Sequence, residues 1–292
     1  MLVTRTEGRA GHMGGMTTLH EARTALSAVA ARTADLIGAS PDTAAAIPGS
    51  PWTVREAAVH LAVIGVRYAG MVHGEPIQYP PLAPEDCARR DDELNADIAE
   101  RRPSELAALV RDGTKRLLAA TASCEDARDV LFDGGVVLPI RHLVGIAVAE
   151  HLLHGYDMAV ATRRPWRIDP DHAVQGFLAC RARDGRCLDP LTGDGHAASY
   201  VVELTTGQRY AVGLADGEHR IDEPGSLTVG CTVTADPVAL LLVGAHRLSR
   251  WTGIALGLFR ADGTRPELML SLDDLFRFPG VCGPHPTQEV VR

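Results

Sequence analysis

Two hydrophobic periodicities divide the chain. Between about residues 17 and 165, apolar positions recur every three or four residues, which predicts long amphipathic helices. A short helix over residues 170–182 and a loop-like stretch over 183–197 follow, and beyond them apolar and polar residues alternate as in β-strands. The pattern therefore predicts a two-domain α+β protein, with an N-terminal bundle of four or more helices and a small C-terminal α+β domain.

The elements expected in the bundle are helices over residues 18–37, 53–72, 84–102, 103–122 and 139–162. The second of these begins at a capping box, Thr53-x-x-Glu56, with Trp52 in the position before the cap. The second half predicts a hairpin, a further strand, a short helix, a last strand and a closing helix, at residues 200–206 with 208–214, 227–234, 238–243, 254–259 and 267–276.

The expected boundaries follow from these elements. They are a disordered lead over residues 1–16, a helix bundle over 17–165, an α+β domain over 166–280 and a loose tail over 281–292.

The most apolar of the predicted helices, from Pro139 to about Thr162, carries three ionisable side chains on one side. Glu150 and His154 are four residues apart and His154 and Asp157 are three apart, so all three project from the same face. Leu143 and Ile146 precede them on that face, which is therefore expected to be buried. A buried carboxylate and imidazole need partners, and a metal ion is one such partner.

His60, on the inner side of the second helix, supplies a candidate third ligand. Two imidazoles and one carboxylate leave one tetrahedral position open, as in a catalytic zinc site. Asp157 could then orient His154 from behind, and His151 is either a polar rim residue or an alternative ligand. The simpler interpretation is an ordinary Glu150–His154 ion pair, with His60 a core histidine satisfied by one hydrogen bond. Spacing alone leaves both open.

Composition narrows the class of protein. The net charge of −8 comes without a basic stripe, which argues against nucleic-acid binding. The longest uncharged apolar runs fall short of the roughly 20 residues that span a bilayer, and charges near the N-terminus interrupt any signal sequence. The six cysteines are scattered without a C-x-x-C pair, as is typical of a reducing compartment. We expect a cytoplasmic protein without membrane or nucleic-acid partners, as a monomer or weak homodimer.

Two segments resemble the signature stretches of the mycothiol-dependent maleylpyruvate isomerase family. They read Pro51-Trp-Thr-Val-Arg-Glu-Ala-Ala-Val-His60-Leu and Glu150-His-Leu-Leu-His154-Gly-Tyr-Asp157-Met-Ala. The resemblance covers about residues 17–165 and implies a DinB-like four-helix bundle in which His60, Glu150 and His154 bind one zinc ion. Asn95 also falls where the family tends to carry an asparagine in its third helix.

The second half resembles the sterol-carrier-like C-terminal domain of that family, through Thr234-Ala-Asp-Pro237 and Leu240-Leu-Leu-Val-Gly244. The family places an arginine of this domain over the metal, usually directly after a glycine, whereas this chain reads Gly244-Ala-His246-Arg247. The resemblance implies Arg247 first, and Arg250 second, as the arginine that binds the cofactor. Arg247 and Asp157 are the implied catalytic residues; an arginine in such a loop is more often a surface residue.

The chemistry that the resemblance implies is thiol activation, because a thiol that replaces zinc-bound water loses its proton. Mycothiol is the implied low-molecular-weight thiol, and its partner is a small electrophile. We expect an S-transferase, in detoxification or specialised metabolism. The alternatives are a cis–trans isomerase of the maleylpyruvate type, a metal-dependent hydrolase and a non-catalytic ligand-binding protein.

Overall fold

The structure is a computed structural model that describes residues 17–75, 91–93, 95–132, 136–183, 198–215, 218–222 and 229–271. Within these ranges the helices are α1 (Leu19–Gly38), α2 (Val54–His73), α3 (Pro103–Ala120), α4 (Ile140–Thr162), α5 (Pro170–Arg183), α6 (Pro237–Gly244) and α7 (Arg250–Ala255). The strands are β1 (Asp129–Phe132), β2 (Val136–Pro139), β3 (Ala198–Leu204), β4 (Arg209–Ala215), β5 (Glu218–Asp222), β6 (Cys231–Ala235) and β7 (Phe259–Gly263), and Pro266–Ser271 forms a 3₁₀ turn.

Helices α1 to α4 form the predicted N-terminal bundle. The capping box at the start of α2 is confirmed, since the Thr53 backbone N–H donates to Glu56 Oε2 over 2.6 Å and Thr53 Oγ1 accepts from the Glu56 backbone N–H. Helices α2 and α3 approach closely at paired glycines, where a Cβ on Gly65 would lie 2.6 Å from the Gly113 carbonyl carbon. This contact sets α2 tightly into the bundle.

The C-terminal half is built on a five-stranded sheet of order β5-β4-β3-β6-β7. Strands β3 and β6 are parallel, with Tyr200 opposite Cys231, and the other neighbours are antiparallel. One face of the sheet is buried, and the side chains on it include Tyr200, Cys231 and Val233. The mixed fold class predicted from the two periodicities, helices first and a sheet afterwards, is confirmed.

The two halves share their interior through α5 and α6. Helix α5 packs on α4 where the side chain of Ala179 occupies the space beside Gly145, and Phe177 packs against both hydrophobic cores. In α6, Leu240 belongs to the core under the sheet and Leu241 to the core of the bundle. The C-terminal half is therefore fixed against the bundle by apolar packing.

Several predicted elements differ in the structure. The strand expected over residues 254–259 is wrong: α7 continues to Ala255, Gly257 turns the chain with φ +72°, and β7 begins at Phe259. Pro139 caps α4 instead of occupying its first turn. Strand β5 was not predicted. Of the third helix, only a short helical segment at 91–93 and 95–96 lies within the described residues, and 98–102 are not helical.

Other expectations fall partly or wholly outside the described residues. They are the lead over residues 1–16, the tail over 281–292, the loop over 183–197, of which only Arg183 is described, as the end of α5, and the end of the closing helix, whose start is the 3₁₀ turn. Among the helices described, none has both the length and the apolar character needed to cross a membrane.

Candidate metal centre

Three side chains predicted as metal ligands converge between α2 and α4. His60, Glu150 and His154 each offer one ligand atom within 4.8 Å of the others. Glu150 Oε2 lies 3.2 Å from His154 Nε2 and 3.6 Å from His60 Nε2, so one carboxylate oxygen faces both imidazole rings. The capped start of α2 places His60 on the inner face, and the four-residue spacing on α4 aligns the other two ligands.

Trp52 closes one side of this cluster. Its ring centroid lies 4.9 Å from that of His60 and 5.6 Å from that of His154, and the indole Nε1–H donates to Asp92 Oδ1 over 2.7 Å. The sequence indicated only that Trp52 precedes the helix cap. Its contact with His154 joins residues about a hundred positions apart, which no local pattern reports.

Burial and mutual contact control the charges of the cluster. Burial by itself would raise the pKa of Glu150, but the hydrogen bonds and charges of His154 and His60 hold it well below its ordinary value. Burial opposes protonation of His154, yet Asp157 and Glu150 raise its pKa to about 9. Without a metal ion, His154 is therefore an imidazolium between two carboxylates at neutral pH.

Asp157 links the cluster to the C-terminal half. Its Oδ2 lies 3.3 Å from His154 Nδ1 and 2.9 Å from Arg247 Nη2, and Arg247 Nε donates to its Oδ1 over 3.2 Å. Burial would raise the pKa of Asp157, but His154 and Arg247 lower it to about 2. Both atoms of the carboxylate are used, so Asp157 fixes the imidazole and the guanidinium together.

The backbone before Arg247 has an unusual conformation. After α6 the chain reverses through His246, a non-glycine residue with φ +57°, and the Arg247 N–H donates to Leu242 O over 2.8 Å. The left-handed residue thus directly precedes the arginine, where glycine would be favoured. Arg247, the first-choice arginine, contacts Asp157, which in turn lies beside His154.

The remaining predicted residues lie in different places. Arg250, the second choice, starts α7 and has its guanidinium carbon 5.6 Å from the Trp251 ring centroid. His151 is not a rim residue: it is 2% exposed in the bundle interior, with Nε2 3.5 Å from Thr114 Oγ1. Burial lowers its pKa to about 3. His151 is outside the three-residue cluster.

The cluster fits a divalent metal ion such as zinc. Two imidazole nitrogens and one carboxylate oxygen converge in a small, partly buried volume, and Asp157 stands behind His154 as carboxylates do behind zinc-bound histidines. Three protein ligands leave a coordination position for an exogenous group, which is the arrangement of catalytic sites. The donor set can therefore hold a metal and present it to a small molecule.

Comparisons with known proteins show similarity over the N-terminal half and in the overall fold. Residues 22–159 match the family described as Mycothiol maleylpyruvate isomerase N-terminal domain. A crystal structure of a mycothiol-dependent maleylpyruvate isomerase is similar with 16% identity and a TM-score of 0.52, covering 80% of this chain and 94% of that one. A histidine-to-alanine mutant structure of such an isomerase is similar with 17% identity and a TM-score of 0.51, covering 80% and 93%.

A crystal structure of Sterol Carrier Protein 2 Like 2 from Aedes aegypti has 17% identity and a TM-score of 0.28, covering 36% of this chain and 98% of that one. A search of curated proteins gave no match. The signature segments around His60 and Glu150 both lie inside the matched range 22–159. Residues 22–159 therefore carry the N-terminal domain of the mycothiol maleylpyruvate isomerase family, a family of enzymes, and the similar isomerase structures share the fold over most of the chain.

Proposed function

We propose that this protein is a zinc-dependent, mycothiol-dependent cis–trans isomerase of a small unsaturated acid of the maleylpyruvate type. The observation that carries the proposal is the shared oxygen of Asp157, which lies 2.9 Å from Arg247 and 3.3 Å from the candidate ligand His154. Arg247, a cation that could bind an anionic substrate, is thus linked through the Asp157 carboxylate to His154, at the site where a thiol would be activated. The family name and the two similar isomerase folds support the same reaction.

His60, Glu150 and His154 would hold the zinc. When bound, zinc would lower the pKa of a coordinated thiol and so would provide a thiolate nucleophile at neutral pH. Trp52 shields the imidazole rings on one side, which limits access of water to them. Arg247 offers its guanidinium to a substrate carboxylate or to negative charge that develops on a substrate oxygen. Asp157 keeps that guanidinium in place.

The reaction needs no net change in the thiol. The thiolate adds to one carbon of the cis double bond, a C–S bond forms, and the π electron pair moves through the adjacent carbonyl to its oxygen as an enolate. Rotation about the resulting single bond follows. The enolate then reforms the carbon–carbon double bond in the trans geometry and expels the thiolate. Arg247 would stabilise the enolate charge, and no proton, oxidant or reductant is consumed.

The S-transferase activity expected from the sequence shares the first addition but ends differently, since the enolate takes a proton and the thioether remains. The comparisons support thiol chemistry in general and name an isomerase; they do not confirm S-transfer.

Product analysis tests the proposal. Zinc-loaded protein is incubated with maleylpyruvate and substoichiometric mycothiol, and the organic acids and thiols are quantified by NMR and mass spectrometry. Many turnovers to the trans isomer per mycothiol, with the thiol recovered free, are expected. Formation of one thioether per mycothiol would mean that the protein catalyses S-transfer and would refute the isomerase proposal. Isomerisation in the absence of mycothiol would refute thiol dependence.

Metal analysis tests the site itself, with a matched pair of histidines on the same helix. Wild type is expected to bind about one zinc per chain and His154→Ala far less. His151→Leu, which alters a buried neighbour outside the cluster, is expected to retain zinc. Equal zinc in wild type and His154→Ala would refute the assigned ligand set.

A further inference from the structure

Asn95 is a buried side chain whose amide is unused. The residue is 5% exposed, and within the part of the chain that the structure describes neither Oδ1 nor Nδ2 has a hydrogen-bond partner. Buried donors and acceptors without partners are costly and uncommon in folded proteins. One buried donor and one buried acceptor side by side therefore indicate a partner that arrives from outside the chain.

The position of Asn95 along the bundle follows from its neighbours. The described residues 91–93 and 95–100 follow α2 in the antiparallel sense: Asp91 lies 3.4 Å from Arg67, whereas Arg55 Nε donates to the Glu100 carbonyl over 2.9 Å. His60 lies between Arg55 and Arg67 on α2, and Asn95 lies between the two anchored ends of this segment. Asn95 is thus placed beside the stretch of α2 that carries His60.

The side chain of Asp92 shows which face of the segment is involved. Asp92 and Asn95 are three residues apart in a helical stretch, so they share a face. Asp92 accepts the indole N–H of Trp52, whose ring lies 4.9 Å from that of His60. The face that carries Asn95 is therefore turned toward the wall of the metal centre, and Asn95 is the more buried of the two.

We infer that Asn95 binds the two amides that flank the cysteine of the thiol co-substrate, with Nδ2–H donating to the carbonyl of one amide and Oδ1 accepting from the N–H of the other. The assignment of Asn95 rests on the proposed function, because the ligand is taken to be mycothiol, a cysteine-derived thiol with amides beside its sulfur. A substrate carboxylate has no N–H and would leave Oδ1 unpaired, whereas the N–H of one amide and the carbonyl of its neighbour together satisfy both atoms. Arg247 recognises the anion and Asn95 recognises the thiol, which divides the two reactants between opposite elements.

Thiol binding to cobalt-substituted protein tests this assignment, since a thiolate on Co²⁺ gives a charge-transfer absorption. Wild type, Asn95→Leu and the control Asp97→Ala, an exposed residue of the same segment, are titrated with mycothiol and with 2-mercaptoethanol, which has no amide. Loss of two hydrogen bonds is expected to weaken mycothiol binding by Asn95→Leu about tenfold or more and to leave 2-mercaptoethanol binding unchanged. Asp97→Ala is expected to match wild type for both thiols.

Thermal unfolding of the metal-free variants separates ligand binding from a structural role. Asn95→Leu replaces an unsatisfied amide by an apolar group of similar volume, so its melting temperature is expected to equal or exceed that of wild type. The smaller Asn95→Ala provides a second variant with the same selective loss of mycothiol binding. A melting temperature clearly below wild type for both variants would mean that Asn95 holds the fold, and would overturn the assignment.

Equal losses for the two thiols, or unchanged mycothiol binding, would also overturn it while leaving the proposed function intact. Failure of the wild-type protein to bind mycothiol is a different result. It would refute mycothiol dependence itself, and the role of Asn95 with it.

Discussion

Asp157→Asn is the most informative single substitution for the metal centre, because it removes one charge and preserves the shape of the side chain. The wild-type carboxylate side chain is 10% exposed and accepts two hydrogen bonds from Arg247, at 2.9 and 3.2 Å. Its Oδ2 also lies 3.3 Å from His154 Nδ1. The asparagine amide has only one oxygen to accept from these two cationic partners. It must therefore turn its NH₂ group toward one of them.

The expected magnitudes come from burial and contact. Removing one partner of a fully buried ion pair costs about 3–5 kcal/mol, and the Arg247 side chain, 28% exposed, is screened by water in part. We expect the free energy of unfolding of the metal-free protein to fall by about 2 kcal/mol. A carboxylate behind a zinc-bound histidine is typically worth about 10–100-fold in metal affinity, and Asp157→Asn is expected to lose a factor in that range.

The assay is a double-mutant cycle with Arg247→Met, which removes the cation and keeps much of the apolar stem. Urea unfolding of the metal-free proteins gives the coupling free energy, and competition with a chromophoric chelator gives zinc affinity. The two residues are expected to couple in stability, whereas only Asp157→Asn lowers zinc affinity. A stability loss below about 0.5 kcal/mol together with less than about a twofold change in zinc affinity would refute the role assigned to Asp157.

Three further predictions follow. The pKa of His154 is raised to about 9, so its contribution of about 3 kcal/mol to metal-free stability is complete below pH 6.5 and lost as pH rises through 9; urea titrations that show constant or rising stability over that interval contradict this. At position 246, where φ is +57°, His246→Gly should be about 1 kcal/mol more stable than His246→Ala in thermal unfolding, since both lack the imidazole and only glycine adopts this φ without strain, whereas at position 245, where φ is −104°, alanine should be more stable than glycine. Gly155→Ala puts a methyl group 2.3 Å from the Trp166 ring and should cost about 1–3 kcal/mol by urea unfolding, whereas Gly38→Ala, with 3.5 Å to its nearest neighbour, should cost little.

Local sequence signals were sufficient for the ligand-bearing helices. The capping box at Thr53 fixed the start of α2 and hence the face of His60, and the four-residue spacing of Glu150 and His154 fixed their alignment on α4. That these two helices bring the three ligands together followed only from the resemblance, since spacing alone also suits an ordinary ion pair. The structure shows that one ligand atom from each of the three side chains lies within 4.8 Å of the other two.

The parts that could not be predicted depend on long-range contact or on backbone strain. The pair of Asp157 and Arg247 joins residues 90 positions apart. The left-handed conformation of His246 could not be predicted from the sequence, because glycine or asparagine is the usual signal for it. The alternation at 254–259 suggested a strand because a short helical turn followed by a glycine turn can show the same order of apolar residues.

Helix α5 has a consequence for how the protein can be divided. The proposed boundary at residue 165 assigns α5 to the C-terminal part, yet Ala179 fills the space beside Gly145 and Phe177 packs against both cores. A bundle cut at that boundary would expose the face of α4 that α5 covers and leave Asp157 without its arginine. We therefore expect the two parts to unfold as one cooperative unit, and we expect a chimera that exchanges the C-terminal part to fold only with a matching α5.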